Sequence, residues 1–233
     1  MHAPDHYMER LRGLPPERQT YAAMVAAVDD GIGRIRASLE KSGQWDNSIF
    51  FFTGGNGATT EKRAGLGGQY ATAGDNGPDR GFKFSAFDGG LHIPGFVHFP
   101  SRIRPRVLPQ IAQAMDILPT LLDAVGLPIP AELDGLSIWR VLIDDAPSPH
   151  RELYWTDLGQ LAIRLHQRKL VANGKDFDRR PDGNKALTGP DALFLSNLSE
   201  DPGETRNLRS QYPALADELA TLAAKWQALL PLH

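Results

Sequence analysis

The clearest periodic signal lies early in the chain. Tyr21, Met24, Val25, Val28, Ile32, Ile35 and Leu39 follow one another at spacings of three, one, three, four, three and four, which is one apolar stripe along a helix. Ser42-Gly43 ends that helix, because glycine suits the left-handed position beyond a last turn. Asp46-Asn47 then turns the chain into Ser48-Ile49-Phe50-Phe51-Phe52-Thr53, an apolar run of the kind found in a strand buried on both faces. Helix, short turn and buried strand are successive parts of an α/β sheet. His92 to Pro100 reads as a second strand interrupted by proline at both ends. Ile111, Met115, Ile117, Leu118, Leu121, Leu122 and Val125 predict a helix over residues 110–125, with Pro119 in its first turn or near its middle.

Asp144-Asp145-Ala146-Pro147-Ser148-Pro149-His150 is the best linker, so the chain divides into residues 1–145 and residues 150–233. Beyond it come three β-prone runs, Glu152–Thr156, Leu161–Ala172 and Ala192–Leu198, with Asn173-Gly174 as a turn signal after the second. Pro213 opens a last helix whose stripe is Leu215, Leu219, Leu222, Trp226 and Leu229. Strands without crossover helices, followed by one long helix, predict a small antiparallel sheet capped by that helix.

Between the two early strands the pattern gives out. Glycine stands at 54, 55, 57, 65, 67, 68, 74, 77, 81, 89 and 90. A loop this long inside a compact chain is usually functional or disordered, and its place just after a sheet strand favours function.

Composition narrows the classes. With 233 residues, 41% hydrophobic and 23% charged, the chain is an ordinary globular protein rather than a disordered one. A net charge of −3 gives no broad footprint for nucleic acid. No apolar run reaches the roughly 20 residues of a membrane-spanning helix. The start, Met1-His2-Ala3-Pro4-Asp5-His6, does not read as a signal peptide, and the sequence names no compartment. The absence of cysteine removes disulfides, thiolate metal sites and a cysteine nucleophile from this chain.

Two residues of the loop could carry chemistry. Lys83, in Asn76-Gly77-Pro78-Asp79-Arg80-Gly81-Phe82-Lys83, can approach an anion closely as a point charge; on spacing alone a solvated surface lysine is the plainer reading. Asn56, in Gly54-Gly55-Asn56-Gly57, can offer a carbonyl oxygen to a hard cation, or simply be a turn asparagine. The nearest acids, Glu61 and Asp75, have no recognisable ligand spacing. Asp29 and Asp30 are adjacent on a helix and diverge by about 100°.

Taken together, these segments resemble the C-terminal half of a sulfatase of the alkaline-phosphatase-like superfamily. Tyr21-Ala22-Ala23-Met24-Val25 with Asp29-Asp30-Gly31-Ile32-Gly33-Arg34-Ile35 looks like the family helix ahead of the metal-site strand. Asp46 to Gly57 looks like the strand and turn that end in Thr-Ser-Asp-Asn-Gly. Asn76 to Lys83 is similar to the sulfate-binding lysine segment, and Asp88-Gly89-Gly90-Leu91-His92-Ile93-Pro94 to the Glu-Gly-Gly-x-Arg-x-Pro that follows it. Asp116-Ile117-Leu118-Pro119-Thr120-Leu121-Leu122, Asp134-Gly135-Leu136-Ser137 and Leu193-Phe194 through Asp201-Pro202-Gly203-Glu204 to Asn207-Leu208 continue the order.

The resemblance implies a partial sulfatase-like α/β sheet and a hydrolase of sulfate esters, acting on a small molecule or a sulfated sugar. In the family, formylglycine made from Cys or Ser in Cys/Ser-x-Pro-x-Arg attacks sulfur, while Ca²⁺ or Mg²⁺ and Lys and His side chains stabilise the anion. Lys83 would hold a sulfate oxygen and Asn56 would be a metal ligand. The N-terminal half of the pattern, with its paired aspartates and nucleophile, has no counterpart here. Gly55 stands where the family has a ligand Asp, His92 where it has Arg, and Asp88 where it has Glu. His98-Phe99-Pro100-Ser101-Arg102 imitates the nucleophile motif but reads as a strand exit. The expectation is therefore a truncated sulfatase chain, inactive alone, with cation binding weakened by Gly55. The alternatives are a non-catalytic binding module or one that complements a separate N-terminal chain, and a phosphatase or phosphonate hydrolase relative. A cut sheet would leave an open edge and an apolar face, favouring a homodimer or a complementing chain.

Overall fold

The computed structural model describes residues 2–59, 74–176 and 185–231. In chain order its main elements are α1 (Asp5–Arg10), α2 (Pro16–Lys41), β1 (Phe50–Thr53), α3 (Asp88–Leu91), β2 (Gly95–His98), α4 (Ile117–Ala124), α5 (Trp139–Asp144), β3 (Glu152–Asp157), β4 (Gln160–Leu165), β5 (Arg168–Ala172), β6 (Lys175–Asp176), β7 (Lys185–Ala186), β8 (Leu193–Asn197) and α6 (Pro213–Gln227). The architecture is mixed α/β with antiparallel sheets. It divides into two compact units. One holds residues 1–32, 55–93 and 152–233; the other holds 33–54 and 94–151.

The core of the first unit is a four-stranded antiparallel sheet in the order β3-β4-β5-β8. Alternation assigns its two faces. Ile163, Leu170 and Leu195 lie in register on one face and meet Ala216, Leu219 and Ala223 of α6. Ala162, Val171 and Phe194 lie in register on the other and meet Ala86 and Phe87. The predicted sheet and capping helix are both present, with Pro213 in the first turn of α6. The run Leu161–Ala172 is two strands, β4 and β5, reversed at His166, whose φ of 51° is a turn conformation. Asn173 follows at φ 53°, the turn that Asn173-Gly174 announced. What the sequence did not announce is that the second face of the sheet is covered by part of the glycine-rich loop.

Helix α2 forms as the periodicity requires and is followed by Gly43 at φ 70°. Periodicity left its orientation open. In the first unit the small residues Ala23, Ala26 and Ala27 pack with Ala3 and Tyr7 of the α1 region. The stripe turns outward: Tyr21, Met24, Val25, Val28 and Ile35 are 37–55% exposed. The large apolar side chains therefore lack cover that the alanine face has.

The second unit pairs β1 with β2 antiparallel, Phe50 opposite His98 and Thr53 opposite Gly95. Phe51 and Val97 join a core of Phe99, Ile138, Trp139, Val141 and Leu142. Phe50 and Phe52 stack on Phe96, itself 49% exposed, at 6.0 and 5.3 Å between centroids. The run Ser48–Thr53 is thus half-buried, not buried on both faces: among the described residues β1 has a single partner strand, and its second face is only partly covered. Helix α4 starts at Ile117, putting Pro119 in the first turn, after a 3₁₀ turn over Ala114–Asp116. Asp116 is fully buried; it accepts from the amides of Gln113 and Leu136 and lies 2.7 Å from Nε2 of His150. β2 ends at His98, and the Phe99 carbonyl then closes a turn with the Arg102 amide, so the imitation motif is a strand exit.

A candidate anion site on a clamped loop

Backbone hydrogen bonds draw the described part of the loop into a knot. The Gly57 amide donates to the Gly90 carbonyl at 3.1 Å, and the Lys83 amide to the Ala58 carbonyl at 2.7 Å. Asn76 ties the same segments together: its Oδ1 accepts from the Ala58 amide at 2.8 Å and its Nδ2 donates to the Gly81 carbonyl at 2.9 Å. The segments approach so closely that a Cβ on Gly57 would collide with the Gly89 carbonyl, and one on Gly90 with that of Ser85. Glycine is required at both places for lack of space. Glu61 and glycines 65, 67 and 68 lie outside the described residues.

This knot brings Asn56 and Lys83 onto neighbouring stretches of backbone. Asn56 is exposed and Lys83 half-buried, with its Nζ 4.7 Å from the centre of the Phe84 ring. Phe84 has φ 74°, an uncommon conformation for a bulky residue. On the same loop, Asp79 holds Nδ1 of His92 at 2.8 Å. The other ring nitrogen is on an exposed side chain.

The loop is gripped by the sheet beneath it. Gln160, fully buried at the start of β4, donates to the Phe84 carbonyl at 2.6 Å and accepts from the Ala86 amide at 3.1 Å. The Ser85 hydroxyl donates to the Lys175 carbonyl at 3.0 Å. Arg80 donates to the Glu204 carbonyl at 2.9 Å and lies over the rings of Phe87 and Phe194, 4.1 and 4.7 Å from their centres. Below α3, Nζ of the fully buried Lys169 is 2.5 Å from the Asp88 carboxylate and 3.4 Å from that of Glu204. The Asp88 amide donates to Glu204 Oε2 at 2.6 Å. Burial pushes the Glu204 carboxyl above its ordinary range; the Lys169 charge pulls it back and the Asp88 charge adds to the rise.

Sequence reasoning missed Lys169 and Gln160 altogether. A signal was present. Lys169 alternates with Val171, and Ser196 with Phe194, so both polar residues share a face with buried apolar ones and need internal partners.

A resident divalent ion requires several oxygen donors, usually carboxylates. Asn56 supplies one amide oxygen and Gly55 no side-chain oxygen. Among the described residues no three His, Cys, Asp or Glu side chains are grouped as a metal would require. This donor set does not fit a resident divalent ion by itself.

The family model described as Sulfatase matches residues 2–127, more than half of the chain. The chain belongs to the sulfatase family. It is 35% identical over 156 residues to an uncharacterized sulfatase of Escherichia coli K12, YdeN, a match covering 66% of this chain and 26% of that protein. It is 26% identical to arylsulfatase J of Mus musculus, over 94% of this chain and 42% of that one. The crystal structure of Ps i-CgsB in complex with k-i-k-neocarrahexaose superposes with a TM-score of 0.77 at 25% identity, over 97% of this chain and 46% of that one. The sulfatase chain described here thus spans between a quarter and a half of the length of these relatives.

Proposed function

We propose that this chain carries the anion-holding half of a sulfuric ester hydrolase and needs a second half to turn over. In this reading Lys83 places its ammonium against a sulfate oxygen, where it offsets the negative charge on the sulfuryl oxygens as the nucleophile attacks sulfur and the alcohol leaves. The observation that carries the reading is the clamped loop. Lys83 sits on a glycine knot that is fastened to the antiparallel sheet by Gln160 and Lys169 and to the Glu204 turn by Arg80. Asn56 offers one amide oxygen toward a divalent ion, and the carboxylates come from outside this chain, as does the formylglycine-bearing segment.

The outward stripe of α2 supports the second half of the proposal. Tyr21, Met24, Val25, Val28 and Ile35 form the apolar surface that a complementing N-terminal half would cover. The substrate class is a sulfate ester of a small molecule or a sugar; the neighbour solved with a carrahexaose favours the sugar.

The test uses 4-nitrophenyl sulfate. The purified chain, with or without Ca²⁺, should release no sulfate. Mixed with a sulfatase N-terminal half carrying Cys-x-Pro-x-Arg converted to formylglycine, it should, and Lys83→Ala should remove most of that turnover. Metal-dependent sulfate release by the chain alone overturns the proposal.

A further inference from the structure

The Lys169 cluster asks for its own explanation. Lys169 and Glu204 are fully buried, Lys169 on the sheet face that carries Ala162, Val171 and Phe194 as well as Ser196, and Glu204 in the turn beyond β8. Burying charges costs several kcal/mol each, and well-packed apolar residues usually do as well or better. The fold nevertheless keeps one ammonium and two carboxylates there, and holds Glu204 at φ 48°, a conformation sparsely used by residues with a side chain.

The directional bonds show what apolar residues could not supply. Glu204 Oε2 takes the Asp88 amide, and Oε1 takes the Ser196 hydroxyl at 3.2 Å. Lys169 takes the Asp88 carboxylate, and the Asp88 carbonyl accepts the His92 amide at 2.7 Å. The Arg80 guanidinium meets the Glu204 backbone from the other side of the loop. Arg80 and Asp88 are therefore both fixed on the Glu204 turn, with Lys83 on the chain between them. Gln160 and Ser85 bind the intervening residues 84–86 to the same sheet.

Resting on the proposed role of Lys83, we infer that Lys169 and Glu204 are positioning residues, which set the height and direction of the Lys83 loop through Asp88. Neither side chain reaches the anion. Lys169 acts on Asp88, Asp88 fixes α3 and the Gly89-Gly90 backbone, and Gly90 anchors Gly57 beside Asn56.

The test is amide hydrogen exchange on the full chain. The variant with Asp88→Asn, Lys169→Met and Glu204→Gln removes all three charges while keeping side-chain bulk, which guards against a simple folding failure. The amides of Asp88, Gly89, Gly90 and His92 should exchange at least about tenfold faster, while those of β4 and β5 keep their protection. Lys169→Arg alone, which keeps a cation between the two carboxylates, should retain more of the loop protection than Lys169→Met alone. Unchanged exchange in the loop overturns the inference, and so does an equal loss across β4 and β5, which would mark the cluster as general core. Exchange requires neither anion nor turnover, so it is independent of the sulfatase assay. Loop loosening with no effect of Lys83→Ala on complemented turnover would sink the proposed function alone. Loss of turnover in Lys83→Ala with no loosening in the triple variant would sink the positioning role alone.

Discussion

The two faces of the β3-β4-β5-β8 sheet are held by different physics. The α6 face is apolar at its centre, Ile163, Leu170 and Leu195 against Ala216, Leu219 and Ala223, with the polar pair Arg168 and Asn197 at one end. Such packing is strong but indifferent to small rotations, because dispersion and water exclusion have little direction. The loop face mixes Phe87 and Phe194 with Gln160, Lys169, Ser196 and Glu204. Hydrogen bonds and ion pairs there are sensitive to angle as well as distance. One face holds the sheet together, and the other holds the loop in one pose.

The sharpest way to break this contrast is Lys169→Met alone. It leaves the Asp88 and Glu204 carboxylates facing each other without their cation, and a buried pair broken on one side costs about 3–5 kcal/mol. Urea unfolding should show that loss. On the α6 face, Leu219→Ala opens a cavity at a fully buried position and should cost about 2–5 kcal/mol. The two variants should differ in kind. Leu219→Ala lowers the midpoint with loop exchange rising only in step with the sheet, whereas Lys169→Met raises loop exchange beyond it.

Gln160→Ala strips partners from the Phe84 carbonyl and the Ala86 amide and should cost about 1–3 kcal/mol, read in the same unfolding experiment. The pH profile tests the turn that bears Glu204 from both sides. Burial raises Glu204, so the folded chain holds that proton more tightly than the unfolded one. Its contribution is complete below the ordinary glutamate range and is lost as pH climbs through that range toward the folded value. Asp201 runs the other way. Burial pushes it upward, but the Arg206 amide and the Thr205 hydroxyl and amide outweigh that and lower it, so its contribution is lost on acidification. Glu204→Gln should remove the falling limb of melting temperature against pH, and Asp201→Asn the rising one. The smallest effect belongs to α2. Val28→Ser, at an exposed position, should change the stability of the chain alone by no more than about 0.5 kcal/mol, yet weaken complementation by an N-terminal half.

Legibility in the sequence follows the same division. The α6 face could be read in part: the 3.6-period stripe places Leu219 on the buried face of α6, whereas Leu161–Ala172 read as one run would put Ile163 and Leu170 on opposite faces, and only the reversal at His166 brings them together. The loop face could not, because its order comes from pairs far apart in sequence, such as Lys169 with Asp88 and Arg80 with Glu204. Helix α2 was legible as a helix but its orientation was not, since periodicity reports which residues share a face but not what lies opposite it. Asn56 and Lys83 take their proposed roles from family likeness; local spacing favoured ordinary turn and surface readings for both. The mismatch at Gly55 was visible against the family pattern, because glycine has no side-chain donor.

The most direct test of the central claim is sulfate release from 4-nitrophenyl sulfate by the chain mixed with a formylglycine-bearing N-terminal half. Turnover should appear only in the mixture and fall at least about a hundredfold with Lys83→Ala, as loss of one charge-stabilising donor does. Full activity in the Lys83→Ala mixture, or equal activity without the added half, would contradict it.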